Sequence, residues 1–325
     1  MIMKALILGF GQDAKILSHI LEQKNVEYVI LARDTENGNS SVHCHGIDPS
    51  KINFVPVLNA KSIKRIIQHD EFTHIFNFAA SSVAQTKKLN FKFYLNNNSN
   101  LLWDLFEIIS EFNEVWLFHP LSSEILENCN YKTFQEMQIN PTNAYGLSKS
   151  AEYFACQIHH KNSNLLLNSC ILYNHESKYR SDLFFTKKVT SAVRKALIQK
   201  NSIIDIYNCK SQRDWGSAYE FMSLIYKSAM KQISGLTVLG TGNSITVENF
   251  IDYSFEYAGI PFEKEIVGGL LRWNSEFLTV NEVSRDLEDE RLMRVAPPEL
   301  VVKSFGEIPR ISGRRLVEEL LIDND

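Results

Sequence analysis

The chain has 325 residues, 44% of them hydrophobic, and 34 Lys+Arg against 38 Asp+Glu give it a formal charge of -4. That is apolar material for one large domain or two fused ones, and the weak negative balance excludes a general attraction to nucleic acid. Cys44, Cys129, Cys156, Cys170 and Cys209 are odd in number and widely spaced, which argues against a disulfide framework or structural zinc site. The opening MIMKALILGF lacks the basic region and cleavage site of an export signal, and no apolar run spans a bilayer. The expectations are a cytoplasmic location, reduced thiols, no metal, no nucleic acid and no membrane.

In chain order, residues 3–8 predict a buried strand, and a glycine turn leads to a helix over 13–23 with Ile16, Leu17, Ile20 and Leu21 on one face. Strands follow at 28–32 and 52–58, a helix at 60–69, a strand at 73–80, a helix at 96–111 and a strand at 115–120. A helix over 145–160 and a strand over 165–172 complete a βαβα rhythm, which predicts a doubly wound parallel sheet of Rossmann type. Beyond it come a helix at 184–200, a strand at 202–207, a helix from Asp214 to Lys231 and another at 247–258. The domain reading is a dinucleotide-binding domain of 1–168 plus 201–232, partly interleaved with a smaller C-terminal α/β substrate lobe of 169–200 plus 233–325. Ligands of such sheets sit beyond the C-terminal strand ends.

Gly9, Gly11 and Ala14 form G-x-G-x-x-A between a strand and a helix. Lacking Cβ atoms, the two glycines let the backbone turn tightly and approach a pyrophosphate at the helix N-terminus. Arg33 ends the second strand and favours the extra phosphate of NADP(H), whereas Asp34 next to it could hold a ribose, so NAD(H) stays open. Ala79 and Ala80 are small enough for a cofactor to lie close.

Tyr145 and Lys149, spaced i, i+4 in YGLSK, share a helix face. The ammonium favours a phenolate that exchanges a proton with a hydroxyl or carbonyl while hydride moves to or from a nicotinamide. Ser122, just past the fifth strand, could share the same substrate oxygen. Glu124, two residues on, could remove a proton beside a ketone, or could simply be a solvated loop carboxylate. His119 reads as structural.

The motifs GFGQD (9–13), FNFAASS (76–82), SSE (122–124), YGLSK (145–149), LYNHES (172–177), TKK (186–188) and RDWGSA (213–218) resemble those of extended short-chain dehydrogenases/reductases, and among these the GDP-mannose 4,6-dehydratase family. The likeness runs over about residues 3–260. It implies that Ser122 polarises a sugar C4 oxygen, Tyr145 with Lys149 takes the C4 hydroxyl proton, and Glu124 takes the C5 proton. It further implies cofactor contacts from Gln12, Asp13 and Leu172. Sugar or nucleotide contacts are implied from Ser81, Ser82, Asn168 and Asn174, and diphosphate neutralisation by Lys188 or Arg213. The expected partner is a GDP-linked sugar, the product its 4-keto-6-deoxy form, the cofactor tightly held, and the assembly a homodimer or homotetramer. Two rival readings stay open: an NADP-dependent GDP-sugar 4-reductase, C4-dehydrogenase or epimerase, and a non-catalytic nucleotide-binding protein.

Overall fold

The computed structural model describes residues 2–34, 46–81, 91–112, 115–126, 131–284 and 293–322. The chain forms two compact units, the first from Met1–Glu127, Met137–Leu172 and Phe221–Leu239, the second from Asn128–Glu136, Tyr173–Glu220 and Gly240–Asp325.

The first unit opens with β1 (Lys4–Leu8), α1 (Gln12–Gln23), β2 (Glu27–Arg33), β3 (Ile52–Val55), α2 (Ala60–Ile67) and β4 (His74–Asn77). It continues through α3 (Phe91–Tyr94), a single π turn, α4 (Asn100–Ser110), β5 (Trp116–Ser122), α5 (Ala144–Asn162) and β6 (Leu166–Leu172). The chain then enters the second unit as β7 (Asn174–Glu176), α6 (Phe185–Ile198), β8 (Ser202–Ile206), β9 (Gln212–Arg213) and β10 (Trp215–Ser217). It returns to the first through α7 (Ala218–Met230) and β11 (Gly235–Leu239). The second unit closes with β12 (Ile245–Thr246), α8 (Val247–Tyr257), β13 (Glu263–Val267), β14 (Leu270–Asn274), β15 (Leu278–Glu282), β16 (Met293–Arg294), α9 (Pro298–Phe305) and α10 (Gly313–Ile322).

In the first unit seven parallel strands run in the order β11-β6-β5-β4-β1-β2-β3. This is the expected Rossmann-type α/β sheet. The strands read as near-continuous apolar runs because helices cover both faces, and Leu6, Leu8, Leu31, Ile75, Leu117 and Leu167 pack into one core with Leu102, Leu105 and Ile109 of α4. The strand order reverses between β1 and β4, which opens a crevice at their C-terminal ends.

The unit boundaries differ from those expected. Residues 201–220 fall in the second unit, where β8 pairs parallel with β15 in a four-stranded sheet. Residues 233–239, expected in the lobe, supply β11 to the seven-stranded sheet. The helix expected from Asp214 starts only at Ala218, because the Asp214 amide donates to the Arg294 carbonyl (2.8 Å) and Trp215–Ser217 pair with β7. The second unit has its own core, built around Trp215, Phe250, Phe255, Trp273 and Leu316.

Asp214 is fully buried and accepts from the Thr241 amide (3.0 Å), the Thr241 hydroxyl (2.6 Å), the Gly242 amide (2.9 Å) and the Ala296 amide (3.1 Å). Gly240 is required beside it, since a Cβ there would stand 2.4 Å from the Ala296 Cβ. Replacing Asp214 by Ala strands several buried N–H donors. The expected cost is about 3 kcal/mol or more, read as a lower denaturant midpoint.

Candidate active site

The C-terminal ends of β1, β2, β4, β5 and β6 carry most of the residues singled out in the sequence. Gly9 sits at φ +95°, and a Cβ on it would lie 2.9 Å from the Ala79 amide nitrogen. Only glycine lets the turn after β1 press this closely against the end of β4. Gly11 then N-caps α1 without a side-chain cap, and nothing lies within 4 Å of where its Cβ would stand. No atom therefore crowds the Gly11 side of this 12-residue helix's N-terminus, whose dipole end suits a pyrophosphate. Gln12 and Asp13 open the helix, their side chains joined by a 3.2 Å hydrogen bond.

Arg33, at the end of β2, is exposed and donates to Asn97 Oδ1 (3.1 Å). Ala79 and Ala80 follow β4, and Leu172 ends β6. The Asn98 side chain clamps the Ser81 backbone, accepting from its amide (2.8 Å) and donating to its carbonyl (3.3 Å). Ser82 lies outside the described residues.

Ser122, the last residue of β5, accepts a hydrogen bond from the Glu124 amide (3.2 Å), which turns the chain into a short 3-10 helix. Tyr145, in the first turn of α5, has the Ser122 hydroxyl among the groups that favour its phenolate. Burial pushes the phenol up, and with the Glu152 and Glu124 carboxylates it outweighs the downward pull of the Lys149 ammonium and Ser122. Asn143 N-caps α5, accepting from the Gly146 amide (2.7 Å), and its side-chain amide donates to Glu124 Oε2 (2.9 Å). One asparagine thus ties the helix carrying Tyr145 to the turn carrying Glu124. A Cβ at Gly146 would come 2.7 Å from the Glu124 carbonyl oxygen, so the glycine after Tyr145 permits that approach.

Lys149 is 2% exposed, and its Nζ donates to the Pro120 carbonyl (2.8 Å) and to Glu152 Oε2 (2.7 Å). Glu152 is fully buried and also receives His119 Nε2 (2.9 Å) and the Ser99 hydroxyl (3.3 Å). Burial raises the Glu152 carboxyl, but Lys149 and His119 more than offset it and hold it down at about 2. Burial likewise lowers the His119 imidazole, leaving it neutral. With Nε2–H aimed at the carboxylate, His119 Nδ1 accepts from the Asn77 amide (3.1 Å).

These shifts set a pH dependence. Glu152 at about 2, against an ordinary 4.5, contributes stability that is fully present above about 4.5 and lost as the pH falls toward 2. A neutral buried His119 adds a loss of the same sign below 6.5. The Glu152 part alone should reach roughly 2 kcal/mol by pH 3. Denaturant midpoints between pH 7 and pH 3 should show it, and Glu152→Gln should flatten the limb below 4.5.

The other expected site residues have partners of their own. Asn168 is the third residue of β6, fully buried, and accepts from the Thr237 hydroxyl of β11 (2.6 Å). Four residues short of the strand's C-terminal end, it is a core residue rather than part of a sugar pocket. Asn174, Lys188 and Arg213 belong to the second unit. Asn174 starts β7 and pairs with Trp215, Lys188 is exposed on α6 with its ammonium on the Asp205 carbonyl, and Arg213 of β9 donates to the Gln212 carbonyl (2.8 Å). In the NHES segment, Glu176 is 1% exposed and is held by the Thr186 hydroxyl (2.8 Å) and Arg180 (3.1 Å). Its visible role is to fix the start of α6.

Asn143, Gly146 and Glu152 were missed in the sequence. Asn143 carried a signal, an Asn just before a helix, whereas Glu152 carried none. A cavity of about 1010 Å³ lies at the opposite, N-terminal end of the strands, lined by Met3, His74, Val115 and Leu166, away from this chemistry. Among the described residues no helix is long and apolar enough to cross a membrane.

A model of the GDP-mannose 4,6 dehydratase family matches residues 6–320. The chain belongs to the GDP-mannose 4,6-dehydratase family. The match carries the likeness past residue 260, where the motifs fade. Among curated family members, the GDP-mannose 4,6-dehydratase of Sinorhizobium fredii is 24% identical, over 80% of this chain and 77% of its own length. The Arabidopsis thaliana GDP-mannose 4,6 dehydratase 2 is 26% identical, over 80% of this chain and 73% of its own. Solved structures share the fold. The dTDP-glucose 4,6-dehydratase of Bacillus anthracis, in complex with NAD, superposes with a TM-score of 0.77 at 16% identity, covering 98% of this chain and 96% of that one. The Thermus thermophilus UDP-glucose 4-epimerase, also with NAD, gives 0.76 at 15% identity, covering 98% and 99%.

Proposed function

We propose that this family member converts a GDP-linked sugar to its 4-keto-6-deoxy form, using a tightly held NADP. The observation that carries the reading is a carboxylate, Glu124, tied by Asn143 to the helix of Tyr145 and Lys149, two residues after Ser122. A bound nicotinamide would accept hydride from C4 and return it at C6. Ser122 holds the C4 oxygen and Tyr145 takes its proton, with Lys149 supporting the phenolate. The resulting ketone acidifies C5, Glu124 removes that proton, and water leaves from C6. A proton returned to C5 as hydride reaches C6 closes the cycle, with no net reductant consumed.

Gly9, Gly11 and the first amides of α1, with Gln12 and Asp13 at its start, suit the pyrophosphate, and Ala79, Ala80 and Leu172 suit a close-lying dinucleotide. The exposed Arg33 favours NADP(H) over NAD(H). The substrate contacts assigned to Ser81, Ser82, Asn174, Lys188 and Arg213 rest on the resemblance. Exposed Leu147, Phe154 and Ile158 fall on one face of α5 and support a homodimer or homotetramer.

Purified protein incubated with GDP-mannose and no added NADPH should yield a product lighter by one water. Strict dependence on added reductant would favour the 4-reductase reading. An isomer of unchanged mass would favour epimerisation. Absence of bound cofactor, together with no turnover of any GDP-hexose or GDP-heptose, would leave only a binding protein.

A further inference from the structure

The Glu152 carboxylate does nothing in the proposed chemistry, yet it is buried without solvent exposure and spends its hydrogen bonds on the catalytic machinery. Its Oε2 receives Lys149 Nζ at 2.7 Å and His119 Nε2 at 2.9 Å, and its Oε1 receives the Ser99 hydroxyl at 3.3 Å. Lys149 and Glu152 lie one turn apart on α5, so the ion pair is built into the helix that also carries Tyr145.

The charges facing this cluster can be named. On α5 they are Tyr145, Lys149 and the Cys156 thiol; on β5 His119; on the turn after β5 Glu124. The polar neighbours are Asn77 of β4 and Ser99. Tyr94 packs edge-on to the Tyr145 ring at 5.8 Å.

We infer that Glu152 is a positioning residue for the proton-transfer step: it pins the Lys149 ammonium against the Pro120 carbonyl and balances its charge, and so sets the pH at which Tyr145 can act as a base. The inference rests on the reading of Tyr145 as that base. With Glu152 present, protonated Tyr145, Lys149 ammonium and carboxylate sum to zero charge. Losing one proton leaves a net negative charge in a buried place, which is resisted. With a neutral residue at 152 the same loss takes the cluster from +1 to zero, which burial favours. The argument holds whichever group of the coupled pair releases the proton.

Glu152→Gln removes the charge and keeps the shape. The amide oxygen can still accept from Lys149. The same oxygen still accepts from His119 Nε2–H, and the amide N–H₂, in place of Oε1, can donate to the Ser99 hydroxyl, which keeps the Ser148 carbonyl as its own acceptor.

The test uses holoprotein labelled with [¹³Cζ]tyrosine, the Tyr145 signal being assigned by its loss in Tyr145→Phe. In Glu152→Gln the first titration of the Tyr145–Lys149 pair should move to lower pH by about 1–3 units, and the acid limb of the kcat profile should move with it. Glu152→Asp restores the charge one methylene further away, should shift less, and serves if the Gln variant does not fold. A Tyr145 signal titrating at the wild-type midpoint in a folded variant overturns the inference. Undiminished turnover by Tyr145→Phe would instead overturn the base assignment, whatever Glu152→Gln does.

Discussion

Tyr145→Phe should lower turnover about a thousandfold, within the range for loss of a positioned acid–base group, while leaving the fold and nucleotide affinity intact. On the proposed reading the phenol, one turn from Lys149 on α5, takes the C4 hydroxyl proton. Phe keeps the ring packed against Tyr94 and deletes only the hydroxyl. Ser122 keeps the Glu124 amide. The measurement is single-turnover formation of the 4-ketone, with bound cofactor followed by its absorbance. If the variant oxidises C4 at more than about a tenth of the wild-type rate, Tyr145 is not the base.

Glu124→Gln should separate the two halves of the reaction. The Gln side chain can still accept from Asn143 Nδ2, so the turn and the α5 cap should survive. Without a carboxylate to take the C5 proton, water loss should fall about a thousandfold or more, whereas reversible oxidation at C4 continues. The reading is exchange of an isotope label at C4, without release of the dehydrated product. Retained dehydration would remove Glu124 from the mechanism and return the site to a reductase or epimerase, for which Ser122, Tyr145 and Lys149 suffice. Loss of both reactions would show that the residue holds the turn rather than performs the elimination.

The two expected results draw on unequal evidence. Tyr145 and Lys149 follow from spacing alone, since i, i+4 on a helix fixes a shared face. Glu124 required the structure. A carboxylate two residues after a strand end points in no particular direction until something holds it, and what holds it is an asparagine 19 residues later.

The sequence by itself determined the local devices. The apolar runs and their helical counterparts predicted the β1–β6 succession, the paired glycines predicted the turn at the head of α1, and YGLSK predicted Tyr145 and Lys149 on one face. Each is written within about one turn or one strand, where backbone geometry and side-chain period act directly. The tertiary structure decided which polar residues meet. Asn168 became a core residue because β11, ending more than sixty positions later, pairs beside it and brings Thr237 within 2.6 Å. Asp214 of the RDWGSA motif became a buried latch because Thr241 and Ala296 fold back onto it. Glu152, His119 and Asn77 became one hydrogen-bonded chain because α5, β5 and β4 pack together. Burial and partner choice depend on pairing between distant segments, and that information is not carried by the neighbours of any one residue.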